Sequence, residues 1–154
     1  MLKDNIFIQH SPTHYPTSEE LIMGNIRLTC FDLGGHKQAR RVWRDYYQVV
    51  NAIVFLIDVT DPQFFNESKS ELDSLLLDEQ VKNCPVLILG NKIDKNGALH
   101  EYYIRQIFSL NEITTGKGNV PKSELSARPI ELFMCSIKER EGYGEAFRWL
   151  SQYL

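Results

Sequence analysis

The sequence predicts an α/β fold with a mostly parallel sheet, and three observations support this. Residues 53–57 and 86–89 are short, continuous apolar runs with the branched composition of strands buried on both faces. Segments with helical periodicity follow these runs along the chain. Strands that alternate with helices typically form a parallel sheet that the helices cover.

The remaining strands are predicted from alternation and turn residues. Residues 26–31 place Ile26, Leu28 and Cys30 on one face of a strand. Residues 20–26 are typical of a hairpin that turns at Gly24 and Asn25. A last strand is predicted over residues 130–135.

Three apolar stripes predict helices. The first follows Asp61 and Pro62, a suitable N-cap and first-turn pair, and continues to about residue 79. A second, shorter stripe covers residues 102–110. The third is the most regular, with apolar side chains at i, i+4, i+7 and i+11. Its members are Tyr143, Phe147, Leu150 and Leu154.

Length and composition predict one domain spanning residues 1–154, without repeats or a linker. Lys and Arg number 17 against 20 Asp and Glu, which argues against a generally basic nucleic-acid binder. Cys30, Cys84 and Cys135 fit no disulfide framework, which favours a reducing compartment. The longest apolar run, residues 52–57, is far shorter than the ~20 residues that span a bilayer. Because residues 1–5 also lack the apolar region of a signal peptide, we expect a soluble intracellular protein.

Ligands of parallel sheets bind at the carboxyl ends of the strands, so the residues that follow each run are the informative ones. Asn91-Lys92-Ile93-Asp94 follows the strand at 86–89. A carboxylate fixed there can accept hydrogen bonds from N1–H and the exocyclic amine of guanine, whereas adenine would leave it unpaired. Asn91 can bind N7 and tie neighbouring loops, and the stem of Lys92 can lie along the base. A plain polar loop is the competing interpretation.

Asp32-Leu33-Gly34-Gly35 is the second signal. An acid at a strand end can hold Mg²⁺ through water, and a following glycine lets a backbone N–H approach a phosphate closely. Its spacing to Asn91 suits the two ends of one nucleotide. Upstream, residues 11–17 form a segment stiffened by two prolines. Either of its two threonines could reach a metal ion, or the segment is a simple surface loop.

Taken together, the motifs resemble the Sar group of Arf-related small GTPases over the whole chain. They are S-P-T-x-x-P-T-S-E-E-L, F-D-L-G-G-H-x-Q-A-R-R-V-W, L-I-L-G-N-K-I-D, T-T-G-K-G-N-V, F-M-C-S and G-Y-G-E-A-F-R-W-L-S-Q-Y-L. The resemblance implies a three-layer small GTPase fold of the P-loop NTPase type. It also implies binding and hydrolysis of GTP, with GTP or GDP as ligand and Mg²⁺ as cofactor.

The resemblance also implies individual roles. Thr13 matches the threonine that coordinates Mg²⁺, Asp32 the acid that holds it through water, and Gly35 the glycine that senses the γ-phosphate. His36 stands where most small GTPases have the glutamine that orients the attacking water. The residues implied to bind guanine are Asn91, Lys92, Asp94, Ser136, Ile137 and Lys138.

In this family the switch controls assembly of coat protein complex II for transport from endoplasmic reticulum to Golgi. The implied partners are inner-coat subunits and a membrane-bound exchange factor. The implied location is cytoplasmic and peripheral on endoplasmic reticulum and Golgi membranes, attached through a segment absent from this sequence. Lys37, Arg40, Arg41 and Arg44 are predicted to cluster on one helical face after the Asp32 motif, which indicates either a solvated face or a surface for an acidic partner or anionic lipid. Nucleic acid is not expected, because no aromatic platform is interleaved with them.

The phosphate cradle G-x-x-x-x-G-K-[S/T] is absent from the sequence. Gly116-Lys117 lacks the preceding glycine, follows a helix, and is predicted to be a surface loop. The resemblance also implies that the first strand of the family's sheet is missing. In the family that strand lies between the two strands that begin here near Ile26 and Ile53. We therefore expect exposed apolar side chains at the freed edges, marginal folding or a borrowed strand, and nucleotide affinity well below that of an intact relative.

Two alternatives to a working switch remain open. One is a catalytically inactive, truncated product that acts only as a coat-binding module. The other is an unrelated phosphoacceptor α/β domain, for which Asp58 at the end of the 53–57 strand is the single candidate.

Overall fold

The computed structural model describes residues 16–23 and 26–154, and the chain forms two compact units that divide between Val49 and Val50. The expectation of a single domain stays a prediction.

The first unit is built on an antiparallel hairpin. Strand β1 (Thr17–Met23) pairs with β2 (Ile26–Asp32), and Thr17 lies opposite Asp32. The predicted hairpin is confirmed and begins three residues earlier than expected, while its turn at positions 24 and 25 lies outside the described residues. A 3-10 turn (Ala39–Val42) and the short helix α1 (Trp43–Tyr46) follow. The ring of Tyr46 contacts that of Phe31, with centroids 5.1 Å apart.

The second unit contains the parallel sheet. Strands β3 (Ile53–Asp58), β4 (Val86–Asn91) and β5 (Ile130–Cys135) lie in the order β3-β4-β5. All three strands were predicted. In β4, residues 86–90 are all buried, as expected of a central strand covered on both faces. The carboxyl ends of the three strands therefore meet along one edge of this sheet.

Strand β3 lies at the edge of this sheet and has an uncovered face. Among the described strands it pairs with β4 alone. Phe55 and Ile57 are buried, whereas Val54 is 36% exposed and Leu56 53% exposed. Two apolar side chains of β3 are therefore exposed to solvent, while the expectation that a missing strand frees this edge stays a prediction.

The three predicted helices are present with small changes at their ends. Asp61 and Pro62 open a 3-10 turn (Pro62–Phe64), but the Asp61 side chain makes no capping hydrogen bond. The helices are α2 (Phe65–Leu77), α3 (Glu101–Ile107) and α4 (Tyr143–Ser151). Leu154 lies beyond α4 and is 48% exposed, while Trp149, outside the predicted stripe, is buried. No helix in the described part of the chain has the length and apolar character needed to cross a membrane.

A charged residue in β5 organises the neighbouring loop. Glu131 is 2% exposed, and it pairs with Arg105 of α3 and accepts a hydrogen bond of 2.7 Å from the backbone N–H of Gly116. Lys117 pairs with Glu101 at 2.8 Å. The predicted loop at Gly116-Lys117 is therefore confirmed, and its lysine is engaged in holding the loop to α3.

Gly142, which precedes α4, provides a test of the local backbone. Its φ is +80°, and a Cβ there would lie 2.2 Å from the carbonyl oxygen of Met134. We expect Gly142→Ala to lower the free energy of unfolding by about 2–4 kcal/mol, measured by urea denaturation, since strain and overlap add. Gly118→Ala is the matched control, because a Cβ there meets nothing within 4 Å. Equal stability of the two variants would contradict this account.

Candidate functional site

Asn91, the last residue of β4, connects the ends of the parallel strands. Its side-chain oxygen accepts hydrogen bonds from the backbone N–H of Ile137 at 3.1 Å and of Lys92 at 2.8 Å. Its carbonyl oxygen accepts from the N–H of Val59, which follows β3, at 3.1 Å. The predicted role of Asn91 in tying neighbouring loops is confirmed.

Asp94 is held by the loop that follows β5. The hydroxyl of Ser136 donates to its Oδ1 at 2.6 Å, and Nζ of Lys138 lies 3.8 Å from its Oδ2. Asp94 is exposed as a residue, but its side chain keeps only 12% exposure because the carboxylate turns toward Ser136. The Ser136 hydroxyl, helped by the positive charge of Lys138, holds the pKa of Asp94 below its ordinary value. The carboxylate is thus fixed and ionised.

The β5 loop is itself tightly closed. Ser136 is fully buried and exchanges backbone hydrogen bonds with Glu141 at 3.0 and 2.9 Å. Burial raises the pKa of the adjacent Cys135 thiol to about 11, so this cysteine stays protonated near neutral pH. Ile137 is half-buried and Lys138 is exposed. All six predicted base-binding residues therefore lie at the ends of β4 and β5, each in a hydrogen bond or ion pair with another of the six.

Asp58, at the end of β3, has a role that the sequence did not predict. Its Oδ2 pairs with Nζ of Lys92, and its Oδ1 accepts from the backbone N–H and hydroxyl of Thr60 at 3.0 and 2.7 Å. Burial raises the pKa of Asp58, but these hydrogen bonds outweigh burial and hold it below the ordinary value. The sequence did offer one indication of this role. Asp58 ends the strand that pairs with β4, and the N-K-x-D loop begins at the end of β4.

In the first unit, the Asp32 motif is closed by the segment that follows it. The indole N–H of Trp43 donates to the carbonyl oxygen of Gly34 at 3.0 Å, and Nε of Arg40 donates to that of Gly35 at 2.7 Å. No described atom outside its own segment lies within 4 Å of a Cβ built on Gly35, so packing gives no reason for glycine there. Asp32 and His36 are both exposed.

The residues present fit a Mg²⁺ ion that arrives with a nucleotide. Among residues 16–23 and 26–154, no group of three or more His, Cys, Asp or Glu side chains could hold a metal alone. Mg²⁺, however, is commonly held by one or two carboxylates together with substrate phosphates. Asp32, exposed at the end of β2, could supply one such carboxylate. Thr13, the other predicted ligand, lies outside the described residues.

The predicted basic cluster does not form one regular helix. Arg40 and Arg41 lie in the 3-10 turn, Arg44 lies in α1, and Lys37 precedes both. Lys37, Arg41 and Arg44 are exposed, whereas Arg40 is half-buried against the glycine loop.

A comparison with solved structures identifies the fold. The Arl6 BBS3 small GTPase of Trypanosoma brucei, solved with bound nucleotide analogue GppNp, matches 98% of this chain and 84% of that chain. The TM-score is 0.82 and the identity 25%. The fold is that of a small GTPase.

Sequence similarity gives the family. A model of the ADP-ribosylation factor family matches residues 1–154. A small COPII coat GTPase SAR1 of Nicotiana tabacum is 46% identical over 160 residues, and one of Giardia intestinalis is 43% identical over 154. Each alignment covers 100% of this chain and 80% of the relative. The chain belongs to the ADP-ribosylation factor family, whose small GTPases are GTP hydrolases, and its predicted kinship with the Sar group is confirmed.

Ser136→Ala tests what fixes Asp94. Because the Ser136 hydroxyl is the main cause of the lowered pKa, we expect the pKa of Asp94 to rise toward its ordinary value. The stabilisation from this carboxylate is present above the ordinary aspartate pKa and is lost as pH falls through the lowered folded value. Carbon-13 NMR titration of the side-chain carboxyl measures the shift. In the control Ser151→Ala, the lost hydroxyl donates to a carbonyl oxygen, so Asp94 should titrate as in the parent; no shift in Ser136→Ala would refute the assignment.

Proposed function

We propose that this chain binds guanine nucleotide and acts as a GTP-hydrolysing switch. The observation that carries the proposal is the Asp94 carboxylate, ionised and fixed by Ser136 next to Asn91. It lies where ligands of parallel sheets bind, beyond the carboxyl ends of the strands.

The base-recognition chemistry follows from these groups. Asp94 accepts hydrogen bonds from N1–H and the 2-amine of guanine, and the amide of Asn91 donates to N7. The stem of Lys92 lies along the ring. Ser136, Ile137 and Lys138 complete this part through the contacts that hold Asp94 and Asn91 in place.

For the residues of the first unit we propose a role at the phosphates. Gly35 leaves open space in which a γ-phosphate can approach its backbone N–H. Asp32 and Thr13 are assigned to Mg²⁺, which when bound neutralises charge on the phosphate oxygens. His36 orients the water that attacks the γ-phosphorus, and the bond to the β–γ bridging oxygen breaks to give GDP and phosphate.

For the cellular role we propose control of coat assembly in transport from endoplasmic reticulum to Golgi. Support comes from the 46% and 43% identity to relatives named as small COPII coat GTPases. The proposed partners are inner-coat subunits of that complex and a membrane-bound exchange factor, with the protein cytoplasmic and peripheral on these membranes. One domain, residues 1–154, is proposed to carry these functions.

A coat-binding module without catalysis is the second candidate. The observation in its favour is that Lys37, Arg41 and Arg44 are exposed after the Asp32 motif, where an acidic partner can contact them without any catalysis.

Base selectivity tests the switch proposal. We expect IDP, which lacks the 2-amine, to bind the full chain about 10–100-fold more weakly than GDP, and ADP more weakly still, because the carboxylate is left unpaired. Calorimetric titration measures the three affinities. Asp94→Asn should remove the preference for guanine, while the control Asp73→Asn, an exposed carboxylate on α2, should keep it. No binding of GDP, or equal binding of GDP and ADP, would leave the module as the better account.

His36 is tested by hydrolysis. We expect His36→Ala to slow single-turnover GTP hydrolysis at least about tenfold with GDP affinity unchanged, since orientation of the water acts on the chemical step. His36→Gln should retain more activity, because an amide can hold the same water. A hydrolysis rate in His36→Ala equal to that of the parent would exclude this role.

A further inference from the structure

Lys92 is held at both ends of its side chain. Its backbone has φ of +77°, a left-handed conformation that is uncommon for a lysine, and its N–H donates to the Asn91 side chain at 2.8 Å. At the other end, Nζ pairs with Oδ2 of Asp58. The aliphatic stem is therefore stretched between two fixed points.

Asp58 is itself anchored before it meets the lysine. Its Oδ1 accepts from the backbone N–H and the hydroxyl of Thr60, which leaves Oδ2 directed to Lys92. Asp58 lies opposite Asn91 in the β3–β4 register. A rigid strand end thus sets the position of the carboxylate, and the carboxylate sets the position of the ammonium group.

This ion pair differs from two other lysine pairs of the second unit. Lys69–Asp73 and Lys82–Glu79 join residues four and three positions apart on the surface. Asp58 and Lys92 are 34 positions apart and come from adjacent strand ends. Partly exposed ion pairs contribute little to stability, so placement of the side chain is the effect to expect from this one.

We propose that Asp58 is a positioning residue that holds the Lys92 stem in the conformation in which it lies along the guanine ring. The inference rests on the proposed nucleotide function. A lysine stem that is free in the empty protein would lose rotamer freedom when the base binds, which weakens affinity. A stem already fixed by Asp58 loses less, and the gain is expected mainly in slower dissociation.

The test compares fluorescently labelled GDP on the full chain and on Asp58→Asn, by anisotropy titration and stopped-flow dissociation. We expect dissociation to be about five- to tenfold faster in Asp58→Asn, which keeps the side-chain shape but loses the charge that holds the lysine. The preference for GDP over IDP should stay unchanged, because Asp94 is untouched. Glu79→Gln, which removes the partner of Lys82, is the matched control and should dissociate at the parent rate.

A double-mutant cycle separates positioning from a structural role. Lys92→Met keeps an apolar stem without the ammonium group, so adding Asp58→Asn in that background should change dissociation no further. An equal effect of Asp58→Asn in both backgrounds, or loss of folding in Asp58→Asn by circular dichroism, would assign Asp58 to the Thr60 turn and overturn the inference. An unchanged rate in Asp58→Asn would overturn it as well.

The two proposals fail in different ways. Absence of labelled GDP binding by the parent chain would overturn the proposed function, and the inference with it. Binding by the parent with an unchanged Asp58→Asn variant would overturn the inference alone.

Discussion

Asn91 holds together three chain segments that are far apart in sequence. Its side-chain oxygen binds the loop after β5 at Ile137, and its carbonyl oxygen binds the segment after β3 at Val59. A parallel sheet brings its strand ends to one edge but leaves the loops beyond them without ladder partners. The hydrogen bonds of Asn91 supply such partners, so the positions of Lys92 and Asp94 depend on these bonds.

The two acidic groups of the candidate site are held in different ways. Asp94 is fixed mainly by a neutral hydroxyl, that of Ser136 at 2.6 Å, while the ammonium group of Lys138 lies farther away at 3.8 Å. Asp58 forms an ion pair with Lys92, so its negative charge is neutralised within the protein. Glu131 is buried and paired with Arg105, and it serves to anchor a loop. A hydroxyl as the main partner distinguishes the proposed recognition carboxylate, Asp94, from Asp58 and Glu131, whose main partners are close cations.

Much of the fold could be predicted because burial on both faces leaves a plain pattern in the sequence. Continuous branched runs identified β3 and β4, and helical spacing identified α4. The burial of Trp149 could not be predicted from the stripe, since its indole N–H reaches the carbonyl oxygen of Gly116, 33 residues away. Helix ends also shifted: the stripe continued to Leu154, but the helix ends at Ser151. Which atoms complete the last turn depends on neighbours that local sequence does not reveal.

In the candidate site, too, some features could be predicted from the sequence and others could not. A base-binding role for Asn91 and Asp94 could be predicted from the sequence, because residue types and their distance from a strand end are local properties. That Ser136 fixes Asp94, and that Asp58 holds Lys92, required the folded chain: these pairs are 42 and 34 residues apart and meet only where parallel strands end side by side. Sequence order carries no measure of that proximity. Register and strand order supply it.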